Sequence, residues 1–146
     1  MEAIEFKQVT EDDWKLVDDL ESGSATPFFC PCDSEEGYRK YIRESTVYVI
    51  MKNGKDIGTV SHKTQDDGSI LFNGLTILPE HRGQGVATDS MKRLLSNLGK
   101  QTYALLVHPE NTTALMIYLR LGFVITEWKD NFFGDGTPRL YLKLVP

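Results

Sequence analysis

Leu75-Thr76-Ile77-Leu78-Pro79-Glu80-His81-Arg82-Gly83-Gln84-Gly85-Val86-Ala87-Thr88 runs from an apolar strand, through a turn of small residues, into a helix. A strand that turns directly into a helix aims several unpaired backbone N–H groups at one spot, together with the positive end of the helix dipole. Such a spot suits a phosphate or pyrophosphate. Gly83 and Gly85 carry no Cβ to hold a ligand off the backbone and can adopt positive φ where the loop curls. Arg82 adds a fixed positive charge with a planar fork of donors.

Two nucleotide-binding patterns do not fit these residues. There is no G-x-x-x-x-G-K-S/T, so no P-loop lysine grips a terminal phosphate. Gly83-Gln84-Gly85 begins a G-x-G-x-x-G, but Thr88 stands in place of the third small residue and no early βαβ unit precedes it. What the loop does contain is Arg-x-x-Gly-x-Ala, on Arg82, Gly85 and Ala87. Downstream, Asn111-Thr112-Thr113-Ala114-Leu115-Met116-Ile117-Tyr118-Leu119-Arg120-Leu121-Gly122-Phe123 reads N-x-x-A-x-x-x-Y-x-x-x-G-F. There Asn111 is placed to cap a helix whose apolar positions include Ala114, Leu115, Tyr118 and Leu119, with Gly122 as a left-handed cap.

In order and spacing, these two motifs resemble the acyl-CoA signature (Gln/Arg-x-x-Gly-x-Gly/Ala) and the second signature of the GCN5-related N-acetyltransferase (GNAT) superfamily. The resemblance covers nearly the whole chain in element order, with its specific residues between Leu75 and Phe123. It implies an α+β fold: a mixed, mostly antiparallel sheet of about seven strands with a splayed parallel pair, flanked by about four helices.

The pattern along the chain agrees. Ile4 to Val9 reads as a strand, and Thr10-Glu11-Asp12-Asp13 as a capping box for a helix with Trp14, Val17 and Leu20 inward. After an irregular segment with Phe28 and Phe29, Asp33 is expected to cap a second helix, with Glu36 at its third position and Tyr38, Tyr41 and Ile42 on one stripe. Thr46 to Lys52, Ile57 to Thr64 and Ile70 to Leu78 form a meander through Asn53-Gly54 and Asp66-Asp67-Gly68. Gly74 interrupts the last strand, which predicts a bulge or a close approach by a ligand. The helix after the loop turns Ala87, Met91, Leu94, Leu95 and Leu98 inward, leaves Lys92 and Arg93 to solvent and ends at Gly99. Tyr103 to Val107 reads as a buried parallel strand beside Ile70 to Leu78. Val124 to Lys129 and Arg139 to Val145 close the chain as a hairpin around residues 131–138.

Length suits a single domain over residues 1–146. No apolar run is long enough to span a bilayer, and the acidic start Met1-Glu2-Ala3-Ile4-Glu5 has no signal-like core. A cytoplasmic location, without membrane attachment, is the expectation. The net charge of −5 argues against a nucleic-acid backbone as partner. Cys30 and Cys32, as Cys-Pro-Cys, read as reduced thiols in a loop. His62, His81 and His108 form no spaced ligand set, so no metal is assigned.

The resemblance implies that acetyl-CoA lies where two parallel strands part, its pantetheine arm paired to backbone groups of Leu75 and Ile77, with a backbone N–H near Leu75 or Thr76 polarising the carbonyl. The physical reason is that parted strands leave amides and carbonyls for an extended ligand to satisfy. Arg82, Gly83, Gln84, Gly85, Val86, Ala87 and Thr88 would hold the pyrophosphate, and Asn111, with Ala114 beside it, the pantetheine. Tyr118 is the candidate acid for the leaving thiolate, since phenol and alkyl thiol have similar pKa values. Relatives often carry a carboxylate where this chain has Asn73 and Leu106. That leaves a water chain, a substrate arriving already neutral, or a base from elsewhere, for which His108, Glu110 and His62 are in reach, each with packing or surface exposure as its simpler role. The turn Asn131-Phe132-Phe133-Gly134-Asp135-Gly136 is similar to the hairpin tip of the branch that acetylates protein N-termini, but with Phe where Tyr is common and with Thr137-Pro138-Arg139 in place of that branch's acidic continuation; a tight Asp-Gly hairpin with two packing aromatics is the simpler reading.

The expected activity is acetyl transfer to a primary amine, on a small molecule or a peptide N-terminus, by a monomer or homodimer. Phe28, Phe29, Asn73, His108, Phe132 and Phe133 are the candidate acceptor-site residues. The alternatives are a non-catalytic acyl-CoA sensor, which the absent carboxylates suggest and Tyr118 opposes, and a transferase with a different acyl donor.

Overall fold

One parallel step in an otherwise antiparallel sheet sets the architecture. The computed structural model describes residues 3–28 and 31–146. Its elements are β1 (Ile4–Gln8), α1 (Trp14–Gly23), α2 (Glu35–Glu44), β2 (Thr46–Lys52), β3 (Lys55–Thr64), β4 (Ile70–Ile77), α3 (Val86–Leu98), β5 (Tyr103–Val107), α4 (Thr112–Arg120), β6 (Val124–Lys129) and β7 (Arg139–Leu144). This is the order expected from the sequence. The strands form a single sheet, β1-β2-β3-β4-β5-β7-β6. Tight turns make the antiparallel pairs. Asn53 and Gly54, at φ 53° and 74°, supply the positive dihedrals of a two-residue hairpin. Asp67 Oδ1 accepts from the amide and hydroxyl of Ser69 at 2.9 and 2.6 Å, which folds the next turn. The parallel β4–β5 pair needs a crossover, and α3 provides it.

The core has two parts. Ile50, Val60, Phe72, Met91, Leu105 and Phe123 belong to the larger cluster, against which Ala114, Leu115 and Tyr118 of α4 also pack. Val17, Leu20, Tyr38, Ile42, Val47 and Val49 join α1 and α2 to β2 in the second.

Four details differ from the sequence reading. Ser34, not Asp33, caps α2: its hydroxyl accepts from the Gly37 amide at 3.0 Å, so Gly37 rather than Glu36 takes the third position. Two good capping residues stand side by side, and the extended backbone of Ser34 decides between them. Arg93 is not left to solvent; its guanidinium donates to the Ile4 carbonyl at 2.6 Å and ties α3 to β1. Along α3, Val86 and Ser90 are buried while Ala87 and Leu95 are half-buried, so the inward stripe is rotated slightly from the expected one. On α4, Leu119 is 38% exposed, and Leu121, just beyond the helix, packs on the core instead. Among the described residues, no helix is long and apolar enough to cross a membrane.

Candidate functional site

β4 and β5 pair through three residues, Ile70–Tyr103, Leu71–Ala104 and Phe72–Leu105. Beyond them β4 continues to Ile77 and β5 to Val107. From Asn73 onward, the β5-facing edge of β4 therefore runs without a ladder partner and presents its main-chain polar groups. A bulge coincides with the parting. Ser61 faces Gly74 and His62 faces Phe72, which leaves Asn73 as the extra residue on β4. A Cβ on Gly74 would lie 2.7 Å from Ser61 Oγ and 2.9 Å from Tyr41 Oη. The bulge expected at Gly74 falls one residue earlier, on Asn73, and Tyr41 and Ser61 crowd the Gly74 backbone.

The free edge leads into the glycine loop. Gly83 and Gly85 take φ of 74° and 79°, and Gly85 is the N-cap of α3. A Cβ on Gly83 would meet nothing within 4 Å, so the loop is open on that side. The first-turn amides of α3, through Thr88, have no intrahelical acceptor by construction. Lys52 stands close, its ammonium 3.1 Å from Gln84 Oε1. Open space, free amides and cationic side chains fit a diphosphate. Arg82 acts differently from the simple expectation. Its Nε donates to the Ile77 carbonyl and its Nη2 to the Ser24 carbonyl, both at 2.9 Å. It brings charge to the loop while clamping the end of β4 to the end of α1.

Asn111 caps α4 as expected, accepting from the Ala114 amide at 3.4 Å. Tyr118 is half-buried and meets Phe123 edge-on, ring centroids 6.0 Å apart. Burial pushes its hydroxyl up to about 12, so the phenol holds its proton at neutral pH. Phe28 and His108, far apart in sequence, come together with ring centroids 4.9 Å apart. Phe29 lies outside the described residues. Phe132 and Phe133 meet edge-on at 4.8 Å and stay exposed, 46% and 61%, with Lys129 over one ring and Arg139 over the other.

The candidate bases fare unevenly. His62 is a packing residue between Tyr48 and Phe72, and burial lowers its pKa. His108 Nδ1 accepts from the Glu110 amide at 3.0 Å, so its neutral ring carries the proton on Nε2 and offers no free lone pair there. Asn73 is held at both ends: Oδ1 accepts from Ser61 at 2.8 Å and Nδ2 donates to Ser45 at 3.0 Å.

A residue not singled out in the sequence lies nearby. Glu21, near the end of α1, is 3% exposed and accepts from Thr59 Oγ1 at 3.1 Å. Desolvation raises its pKa to about 7, partly offset by the hydroxyl bond from Thr59. The signal for it is its place on the buried stripe of α1, one residue after Leu20 and four after Val17.

The parted β4–β5 pair leads into the glycine loop that opens α3, and the Asn111 cap opens α4 after β5. Residues 43–125 match the family described as Acetyltransferase (GNAT) domain. The chain belongs to the GNAT acetyltransferase family and is an acyl-CoA-dependent acetyltransferase with acetyl-CoA as donor. It is 29% identical to N-alpha-acetyltransferase 30 of Schizosaccharomyces pombe, with 78% of this chain and 85% of that protein covered. In fold it is similar to a chimera of spermidine N-acetyltransferase SpeG from Vibrio cholerae and hSSAT, with TM-score 0.81, 20% identity and coverage of 97% and 95%. It is also similar to Arabidopsis thaliana Naa50 in complex with the bisubstrate analogue CoA-Ac-MVNAL, with TM-score 0.80, 16% identity and coverage of 98% and 99%.

Proposed function

We propose that this protein acetylates the α-amine of a peptide or protein N-terminus. The observation that carries the reading is the parting of β4 from β5 beside the glycine loop, which leaves an extended backbone edge leading to free helix amides. In this reading the main chain of Leu75, Thr76 and Ile77 pairs with the pantetheine arm. The amides from Gly83 to Thr88 bind the diphosphate, and Asn111 and Ala114 flank the arm. When bound, acetyl-CoA would supply an activated acyl carbon and a thiolate leaving group, which the Tyr118 hydroxyl would protonate. Phe28, His108, Phe132 and Phe133 are assigned to the acceptor side. The similarity to N-alpha-acetyltransferases and the exposed aromatic pair at the hairpin tip support the peptide class. Residues 1–146 are read as one domain, since a single sheet spans β1 to β7. A cytoplasmic monomer or homodimer that does not depend on nucleic acid completes the reading, the last point resting on the net charge of −5.

A thiol-release screen with acetyl-CoA tests it, offering short peptides, the same peptides blocked at the N-terminus, amino acids, polyamines and aminoglycosides. Turnover is expected with free-amine peptides and is lost on blocking. Turnover confined to polyamines or aminoglycosides would overturn the peptide assignment. Gly85→Val should weaken acetyl-CoA binding at least about tenfold by calorimetry, because a branched residue cannot hold that dihedral without strain. Normal affinity in that variant would reject the loop as the diphosphate site.

A further inference from the structure

Thr59 makes two hydroxyl contacts on the same face of the sheet. Its Oγ1 donates to Glu21 Oε2 at 3.1 Å and lies 2.7 Å from Thr76 Oγ1. A hydroxyl has one proton to give. With the Thr59 proton on the carboxylate, the bond between the two threonines is made by Thr76 donating. Thr76 can then only accept from any further partner. The three groups are buried, with Glu21 3%, Thr59 0% and Thr76 5% exposed. Thr76 stands on the stretch of β4 that continues past its last pair with β5. The hydroxyls thus form a one-way proton path from the free edge of β4 to a carboxylate beneath α1.

The surroundings suit the end of such a path. Tyr38 and Tyr41 of α2, Cys32 from the segment before α2, and Asp18 on α1 itself face Glu21. Arg82 bonds the Ser24 carbonyl at the end of α1 and makes no ion pair with Glu21. Tyr41 donates to Ser61 at 2.6 Å and Ser61 donates to Asn73, so Asn73 is locked and unable to take a proton. Held near neutrality by its burial, the Glu21 carboxyl exchanges a proton at little cost under working conditions.

We propose that Glu21 is the terminal proton acceptor of acetyl transfer, reached from the acceptor amine through the hydroxyls of Thr76 and Thr59. The proposal rests on the acetyltransferase reading above. As the amine nitrogen bonds to the acyl carbon, its proton passes to Thr76 Oγ1. The Thr76 proton moves to Thr59 Oγ1, and the Thr59 proton to Glu21 Oε2. The C–S bond breaks, and the departing sulfur takes the Tyr118 proton. Solvent later reprotonates Tyr118 and removes the proton from Glu21.

The test compares wild type with Glu21→Gln, Thr59→Val and Thr59→Ser, using the MVNAL peptide and spermidine as acceptors. Three quantities are read: kcat across neutral pH, acetyl-CoA affinity by calorimetry, and the 13C NMR titration of the Glu21 carboxyl. The expected wild-type kcat rises through neutrality with the same midpoint as the Glu21 resonance. Glu21→Gln and Thr59→Val should lose on the order of 10²-fold in kcat and lose that limb of the profile. Thr59→Ser, which keeps a hydroxyl, should recover the rate. Acetyl-CoA affinity should stay level throughout, and Glu21 should still titrate in Thr59→Val, showing an intact carboxyl cut off from its path. If Glu21→Gln or Thr59→Val keeps the wild-type rate and profile, the path is refuted while the acetyltransferase reading stands. If wild type neither binds acetyl-CoA nor turns over, that reading falls and the path falls with it.

Discussion

At the scale of single residues, Tyr118 carries the sharpest expectation. Its hydroxyl, raised to about 12 by burial, stays protonated across the physiological range and is available only as a donor. Tyr118→Phe keeps the ring and its edge contact with Phe123. The variant should therefore fold and bind acetyl-CoA normally while kcat drops on the order of 10²-fold. Unchanged turnover would remove Tyr118 from the chemistry. Tyr118 was legible because its helix is framed by a local cap at Asn111 and a local stop at Gly122, both decided by nearest neighbours. Glu21 was not. Its place on the α1 stripe could be read, but its burial and its bond from Thr59 come from elements the fold brings in from elsewhere. A carboxylate on an apolar stripe is informative only once its partners are known.

The elements show where local signals end. Turn residues and apolar alternation are properties of a few consecutive residues, so the strands, the Asn53-Gly54 hairpin and the glycine loop could all be read. The parting of β4 from β5 could be placed only through resemblance, because it depends on a bulge whose register is set by the neighbouring strand. Gly58 illustrates the same point. It lies in β3 opposite Ile77, and a Cβ there would fall 2.1 Å from the Thr76 carbonyl oxygen. Backbone must move to admit it. Gly58→Ala should cost at least about 2 kcal/mol in urea denaturation. It should also weaken acetyl-CoA binding, because the displaced segment is the free edge of β4. Gly54→Asn is the control: an Asn tolerates positive φ and meets nothing within 4 Å, so it should cost under about 1 kcal/mol. Equal stability of the two variants would show that β3 and β4 are not pressed together as described.

For the whole molecule, Glu21 makes stability depend on pH in a direction opposite to that of most carboxylates. Its folded value, about 7, lies above its ordinary value of 4.5, so the folded protein holds that proton more tightly than the unfolded chain does. Stability from this group is complete below about pH 4.5, declines as pH rises, and is gone above about 7. The gap of roughly 2.5 pH units corresponds to about 3 kcal/mol at most. Glu21→Gln keeps the shape of the side chain but cannot titrate, while the other acids and bases remain common to both proteins. Their difference in unfolding free energy isolates this one group. The expected result is that wild type loses stability relative to Glu21→Gln between about pH 4.5 and pH 7, by up to about 3 kcal/mol in urea titrations. A flat difference would mean that the carboxyl is hydrated in the folded protein. A difference of opposite sign would mean that Glu21 is ionised against a cation there, and either result would deprive the hydroxyl path of its end point.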